Sequence, residues 1–129
     1  ALGAWYGRPG SKIVAMMGDG SFGFTCGELE TVCRSRADIT YVVFSNASFG
    51  WIKASQKDDK GARYHNVDFT RVDQAAVAAA YGVKSWTVEN PEDLEGVLKQ
   101  AIAYDGPTLV DVITQPLEQS NAPVRRWMG

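Results

Sequence analysis

The residues best suited to chemistry form a glycine-rich turn, residues 18–23, with the sequence GDGSFG. The turn follows an apolar run and precedes a helical pattern, and its G-x-G-x-x-G spacing is typical of turns that bind a dinucleotide diphosphate. Asp19, however, places a carboxylate between the first two glycines, where a diphosphate would approach the backbone. Like charges at that distance repel each other, and a divalent cation such as Mg²⁺ would neutralise them.

A second oxygen-bearing side chain stands where it could share that cation. Asn46 lies 27 residues after Asp19, at the end of the next apolar run. Open α/β sheets bind ligands at the carboxyl ends of their strands, so both side chains are expected at one edge of the sheet. A carboxylate and an amide oxygen are ligands of the kind that Mg²⁺ accepts. The pair therefore predicts one shared metal site.

An NAD-binding turn is the alternative interpretation of the same glycines. It requires an acidic residue about 20 positions further on, at the end of the second strand, to bind the ribose. Asp38 has about that spacing, but it precedes the second strand, which ends at Ser45 and Asn46. A P-loop is excluded because no Gly-Lys-Ser/Thr follows the glycines. The NAD-binding domain of an oxidoreductase remains the second hypothesis.

Strands must position the turn and Asn46. Short apolar runs predict four strands that are buried on both faces, over residues 12–17, 39–45, 84–88 and 108–114. Residues 56–67 are polar and aperiodic and predict a loop. Strands of this kind, separated by helical patterns, are typical of an α/β domain. We expect a doubly wound, mainly parallel sheet with helices on both faces.

Helical patterns separate these strands. Thr25-x-x-Glu28 has the capping-box pattern that begins a helix after the turn. A second helix is predicted over residues 75–81, with Gly82 in the C-cap role. Asn90-Pro91 opens a third helix. The apolar face of this third helix consists of Leu94, Val97, Leu98, Ala101 and Ile102.

Composition limits the function further. The chain has 129 residues, enough for one domain, and a formal net charge of −2, which argues against a nucleic-acid binder or a polybasic membrane anchor. No apolar run approaches the length of about 18 residues that spans a membrane. Cys26 and Cys33, about 10 Å apart on one predicted helix, are too distant for a disulfide, which favours reduced thiols in the cytoplasm. The first residue, Ala1, is not Met, which favours a fragment of a longer polypeptide.

Residues 18–22 and Asn46 together form a pattern found in one enzyme family. With residues 28–31, 42–50 and 106–112, they make the chain similar to the C-terminal thiamine-diphosphate-binding domain of the acetolactate synthase and benzoylformate decarboxylase family. The resemblance covers about residues 1–115 and leaves 116–129 as a C-terminal tail. Ser45 stands where many relatives have a first asparagine, and Asn46 stands on the metal-binding second one. The resemblance implies the thiamine-diphosphate-binding fold.

The resemblance also implies a site. Mg²⁺ would be bound by the Asp19 carboxylate, the Asn46 side-chain oxygen and the main-chain carbonyl of Ser48. Gly20 and Ser21 would bind the diphosphate, assisted by the N-terminus of the helix that opens near Thr25. The full set of expected cofactor-binding residues is Gly18, Asp19, Gly20, Ser21, Asn46, Ser48, Phe49 and Gly50.

The implied activity is that of a 2-oxo acid decarboxylase or carboligase, acetolactate synthase-like, in which thiamine diphosphate carries the chemistry. The activating glutamate of the family belongs to an N-terminal pyrimidine-binding domain, of the same or a partner chain. Glu28 and Glu30 are therefore not assigned that role, no catalytic residue is expected here, and the chain alone would be inactive. A homodimer or homotetramer is implied. A non-catalytic assembly domain with the same fold is a third hypothesis.

Three other side chains have two possible roles each. Trp51 and Ile52 occupy the stretch where relatives line the site, but a helix packing on the sheet would explain them equally well. His65, the only histidine, lies in the predicted loop and is expected to be a solvated residue rather than a catalytic one.

Overall fold

The sheet consists of four parallel strands in the order β1-β2-β4-β3. The computed structural model describes residues 1–120. The strands are β1 (Ile13–Gly18), β2 (Ile39–Ser45), β3 (Lys84–Val88) and β4 (Thr108–Ile113). Strands β2 and β4 are central, and β1 and β3 form the edges. The predicted α/β class with a parallel sheet is confirmed.

The described chain has six helices, of which the first precedes β1 and the others lie between strands. They are α1 (Leu2–Gly7), α2 (Asp19–Thr25), α3 (Leu29–Arg34), α4 (Gly50–Asp59), α5 (Gln74–Ala80) and α6 (Leu94–Ala103). Short 3₁₀ turns cover Cys26–Glu28, Pro91–Asp93 and Leu117–Gln119. None of the helices in residues 1–120 is long and apolar enough to cross a membrane.

The sheet has a hydrophobic core on each face, because successive strand residues point to opposite sides. On one face, Tyr41 and Leu109 pack with α2, α3 and α5 through a cluster that includes Phe22, Leu29, Val32 and Ala78. On the opposite face, Val42 and Val110 pack against α6. Helices therefore cover both faces, as expected for a doubly wound domain.

The edge strand β1 departs from the prediction of burial on both faces. Its residues alternate between half-buried and exposed, and Val14 and Met16 are 48% and 69% exposed. Both side chains point to the face of the sheet on which α6 packs. On that face, however, α6 lies over β3 and β4, toward the edge of the sheet opposite to β1. Hydrophobic composition alone does not distinguish an edge strand from a central one, and the prediction was wrong for this face of β1.

Three helix predictions also need correction. The glycine-rich segment predicted as a turn forms helix α2 from Asp19 onward. The helix predicted to begin near Thr25 does begin there, as the 3₁₀ turn Cys26–Glu28 that leads into α3, but the Thr25 hydroxyl bonds the Ser21 carbonyl and does not cap it. Helix α4 continues through Asp59, into the segment 56–67 that was predicted to be a loop. Ile102 is exposed rather than part of the apolar face of α6.

Other local predictions agree with the structure to within one residue. Strand β3 has the predicted bounds, and β4 ends one residue earlier than expected. Asn90 caps the turn before α6 by accepting a bond from the Glu92 amide. Gly82 follows the end of α5 with a left-handed φ of +87°, a conformation that glycine adopts without strain. The predicted tail, 116–129, lies outside the described residues from position 121 onward.

Candidate functional site

Asp19 is the centre of the site. It is the first residue of α2, directly after β1, and only 5% of it is exposed. Its Oδ1 accepts a hydrogen bond from the Gly20 amide at 2.9 Å, and its Oδ2 accepts bonds from the Asn46 and Ala47 amides at 2.9 and 2.7 Å. One carboxylate therefore joins the carboxyl ends of β1 and β2.

The turn after β2 brings Asn46 and Ser48 together. Asn46 Oδ1 accepts bonds from both the amide and the hydroxyl of Ser48, each at 3.1 Å. Ala47, between them, has a φ of +55°, in the left-handed region that only glycine adopts without strain. The chain turns at this residue, so that the Asn46 and Ala47 amides bond Asp19 and the next amide, that of Ser48, bonds the Asn46 side chain.

A short segment, residues 67–69, supports this turn. The sequence predicted a loop over residues 56–67 and no regular element directly after it. The Phe49 amide donates to the Val67 carbonyl at 2.8 Å, and the Phe69 amide donates to the Ala47 carbonyl at 3.1 Å. The rings of Phe49 and Phe69 pack edge to face at 5.2 Å. The alternation of two apolar residues around Asp68 was the available signal, because period-two alternation is typical of a strand.

The eight expected cofactor-binding residues line one cleft at the carboxyl edge of the sheet. Two adjoining cavities of about 240 and 390 Å³ make up this cleft. Lining residues of the first include Gly18, Asp19, Gly20, Ser21, Ser48, Phe49 and Gly50, and Asn46 lines the second. The structure therefore brings these residues together, and their role as ligands stays a prediction.

Two glycines make the cleft possible by their lack of a side chain. A Cβ on Gly20 would lie 2.7 Å from Cε1 of Phe49, closer than real Cβ contacts. A Cβ on Gly50 would lie 3.3 Å from Leu117 Cβ and 3.4 Å from Asn46 Nδ2. Glycine at these two positions therefore lets Phe49 and Leu117 pack directly against the backbone of the cleft.

Aromatic and aliphatic side chains form the rim. Phe24, 80% exposed, stacks on Phe49 with ring centroids 6.3 Å apart and planes inclined by 15°. Trp51 and Ile52 line the cleft and are exposed, so they do not pack on the sheet. Of the two roles considered for Trp51 and Ile52, the structure contradicts packing on the sheet.

The remaining polar candidates lie away from the cleft. His65 is exposed, and its amide donates to Gln56 Oε1 on α4 at 2.8 Å. Glu30 is paired with Arg34 on the surface of α3 at 2.9 Å. Cys26 and Cys33 are free thiols, and burial raises the pKa of Cys33. Within residues 1–120 no three His, Cys, Asp or Glu side chains form a metal site. A cation here would therefore depend on amide and carbonyl oxygens beside Asp19.

A second buried carboxylate, Asp111, lies near the same edge, and sequence analysis did not single it out. It is 1% exposed, in the carboxyl half of β4. Burial raises its pKa, and bonds from Ser45 and Gln74 oppose that shift; the Asp73 charge raises the pKa further and the Arg71 charge lowers it. Its signal in the sequence was an acidic residue inside an otherwise apolar run.

Comparison with known proteins identifies the class to which this fold and cleft belong. Residues 1–112 match the family described as thiamine pyrophosphate enzyme, C-terminal TPP binding domain. The chain belongs to this family. The NAD-binding alternative is therefore set aside.

The similar proteins are enzymes much longer than this chain. An acetolactate synthase of Bacillus subtilis (strain 168) is 37% identical over 112 residues, which are 87% of this chain and 20% of that protein. A benzoylformate decarboxylase of Pseudomonas aeruginosa is 29% identical over 118 residues, 92% of this chain and 22% of its own length. The chain thus spans about one fifth of the curated relatives that it matches.

A solved structure agrees with the assignment. The thiamine diphosphate-dependent 4-hydroxybenzoylformate decarboxylase of Rhodococcus jostii RHA1 superposes with a TM-score of 0.85 and 26% identity, over 92% of this chain and 23% of that one. The four-stranded parallel sheet and its helices are therefore the fold of this enzyme family's C-terminal domain.

Proposed function

We propose that the chain binds the diphosphate of thiamine diphosphate through one Mg²⁺, as the C-terminal domain of a 2-oxo acid decarboxylase or carboligase of the acetolactate synthase type. One observation carries the proposal: the Asp19 carboxylate, hydrogen-bonded to the Asn46 and Ala47 amides, lies in the cleft lined by the glycine turn. A carboxylate beside a diphosphate is stable only with a cation between them.

The available ligands fit Mg²⁺, which prefers oxygen and keeps several waters. Asp19, the Asn46 side chain and the Ser48 carbonyl supply oxygen only. Asn46 Oδ1 already accepts two bonds from Ser48, and an amide oxygen has two lone pairs. A cation bound at Oδ1 would therefore replace the bond from the Ser48 hydroxyl, which is free to rotate away.

The residues of this chain would bind and orient the cofactor rather than react. Gly20 and Ser21, in the first turn of α2, offer a close backbone and a hydroxyl to the diphosphate. Thiamine diphosphate, when bound, supplies the electron sink for chemistry at a 2-oxo acid carbonyl. The acid–base group would come from a pyrimidine-binding domain of the same or a partner chain, within a cytoplasmic homodimer or homotetramer. The chain alone would then be inactive.

Calorimetric titration of the chain with thiamine diphosphate and with inorganic diphosphate, each with and without Mg²⁺, tests the proposal. We expect both ligands to bind only with Mg²⁺, because the metal bridges the diphosphate to Asp19. In Asp19→Ala the affinity should fall at least 100-fold, since loss of groups that merely support a metal ligand already costs about 10- to 100-fold.

The control for this experiment is Asp59→Asn. Asp59 is an exposed carboxylate at the end of α4 that accepts a hydrogen bond from the Ser55 hydroxyl. The substitution removes one negative charge without touching the cleft, and binding should stay unchanged. Circular dichroism checks that every variant is folded. Absence of Mg²⁺-dependent binding in the native chain, or equal binding in Asp19→Ala, would contradict the proposed function and favour a non-catalytic domain.

A further inference from the structure

Asp111 is a buried carboxylate that the proposed cofactor binding does not use. Both of its oxygens accept hydrogen bonds, which is the pattern of an ionised carboxylate. Oδ1 accepts the Ser45 hydroxyl at 2.5 Å, and Oδ2 accepts the Gln74 amide at 3.2 Å. The bond from Ser45 has the length of a charge-assisted O–H···O⁻ bond, which is roughly twice as strong as a neutral one.

Both partners of Asp111 are close in the chain to the proposed metal-binding turn, residues 46–48, or to the segment that supports it. Ser45 is the last residue of β2, and the next residue, Asn46, donates its amide to Asp19. Gln74 begins α5, five residues after Phe69, which pairs with Ala47 behind the turn. Asp111 therefore holds the chain just before the turn and the start of the helix that follows the supporting segment.

The position of Ser45 is fixed from a second side as well. Its carbonyl accepts bonds from the Thr114 amide at 2.9 Å and the Thr114 hydroxyl at 3.4 Å. Side chain and carbonyl of Ser45 are thus both bonded to residues of, or directly after, β4. The peptide that follows Ser45 has little freedom to rotate, and that peptide carries the Asn46 amide that bonds Asp19.

Burying a carboxylate at this point is a costly way to join two strands, because the charge loses its hydration. The same strands, β2 and β4, are joined at their amino ends by neutral hydroxyls: Thr108 Oγ1 lies 2.8 Å from Thr40 Oγ1, and both residues are fully buried. A cheaper solution therefore exists on the same pair, five residues earlier on β2 and three residues earlier on β4. The buried charge of Asp111 therefore indicates a role other than holding β2 and β4 together.

We propose that Asp111 is a positioning residue for the metal-binding turn, acting through the Ser45 hydroxyl to fix the direction in which Asn46 and Ala47 face Asp19 and the cation. This inference rests on the proposed function of the cleft. Asp111 itself touches neither metal nor cofactor, and its effect reaches the site only through Ser45.

The test measures two quantities for each variant: Mg²⁺ affinity at saturating inorganic diphosphate, and the free energy of unfolding in urea. Ser45→Ala should weaken Mg²⁺ binding about 10- to 100-fold, the range found for groups that orient metal ligands. Ser45→Thr keeps the hydroxyl and should restore binding to within a few fold. Thr40→Val removes the matched hydroxyl at the amino end and should lower stability while Mg²⁺ affinity stays within twofold.

Asp111→Asn should also weaken Mg²⁺ binding, and adding it to Ser45→Ala should change affinity by less than twofold, because Asp111 acts through Ser45. The inference is overturned if Ser45→Ala binds Mg²⁺ like the native chain, if Thr40→Val loses as much affinity as Ser45→Ala, or if the two effects multiply. In each of those outcomes the native chain still binds, so the proposed function stands. A native chain without Mg²⁺-dependent binding overturns both.

Discussion

The two ends of the central strand pair are built on different principles. At the amino end, Thr40 and Thr108 bond each other, and the Thr108 hydroxyl also lies 3.2 Å from the Ala101 carbonyl. Lys12 closes the same end by pairing with Asp38 at 2.5 Å and by donating to the Tyr104 carbonyl at 2.6 Å. Here hydroxyls are neutral and charges are paired with opposite charges.

The carboxyl end carries charge and strain instead. Asp19 and Asp111 are buried carboxylates whose hydrogen-bond donors within residues 1–120 are backbone amides and one hydroxyl. Ala47, whose amide bonds Asp19, has a left-handed conformation, and the exposed Phe24 stacks on Phe49 at the rim. The fold is therefore stabilised at its amino end, and we propose that its carboxyl end is organised for a ligand, as expected for open α/β sheets.

Among the substitutions considered next, Gly20→Ala at the carboxyl end is expected to have the largest effect. A Cβ at 2.7 Å from Phe49 must displace a ring already packed on Phe24 and Phe69, at a cost of about 1–3 kcal/mol. Because Phe49 follows residues 46–48, the turn that we propose to bind Mg²⁺, we expect Mg²⁺-dependent diphosphate binding to weaken at least tenfold, measured by calorimetry.

Gly23→Ala, on the same helix, is the matched control. Nothing lies within 4 Å of its Cβ position, and alanine in a helix is favoured over glycine by about 0.5–1 kcal/mol. Its stability should rise while binding stays unchanged. If Gly20→Ala also gains stability and binds normally, the cleft does not depend on the close approach of Phe49.

The second prediction concerns pH and separates the two ends by stability alone. Burial raises the pKa of Asp111 in the folded chain, so the folded state holds its proton more tightly than the unfolded state does. The stability contributed by this group is complete below the ordinary aspartate pKa of about 3.9 and is lost as pH rises through the higher folded-state pKa. Asp111→Asn does not titrate there, so its unfolding free energy should decline less with pH over that window.

Urea unfolding of both proteins in steps from pH 4 upward measures this difference. Thr40→Val serves as the control, because its loss of stability involves no titrating group and should leave the pH dependence of the native chain intact. A decline of equal slope in the native chain and in Asp111→Asn would show that the buried carboxylate is not the group responsible, and the contrast between the two ends would lose its electrostatic part.

Sequence reasoning succeeded where the determining interactions are local. The bounds of β3 and the Asn90 cap follow from residues within one turn of each other. The proximity of Asp19 and Asn46 followed from a general property of parallel sheets rather than from any contact visible in the sequence. Local information was sufficient for β3 and the Asn90 cap, whereas the Asp19–Asn46 pair required the rule that carboxyl ends of parallel strands meet at one edge of the sheet.

The failures share a non-local cause. Met16 on β1 is exposed because α6 packs over β3 and β4. The strand order, which differs from the order in the chain, places those two strands away from β1. The contact between Ser45 and Asp111 joins residues 66 positions apart, and the support of Ala47 by Phe69 depends on a loop that returns to the turn. One-dimensional patterns reveal neither, so the arrangement that holds the expected ligands was the part of the site that only the structure could supply.

The smallest expected effect, and the finest test of the comparison, comes from Ala47→Gly. A left-handed alanine is strained by about 1–2 kcal/mol, and glycine removes that strain while adding freedom to the unfolded chain, so stability should rise by about 0.5–1 kcal/mol.

Ala62 is also left-handed, with a φ of +56°, but lies in the exposed loop after α4. Ala62→Gly should therefore give a similar gain in urea unfolding. The two variants should differ in Mg²⁺ affinity, which we expect to fall about two- to fivefold only in Ala47→Gly, because a glycine turn must be ordered when the cation binds. Equal Mg²⁺ affinity in both variants would mean that the strain at the carboxyl end is incidental to the site rather than part of its preorganisation.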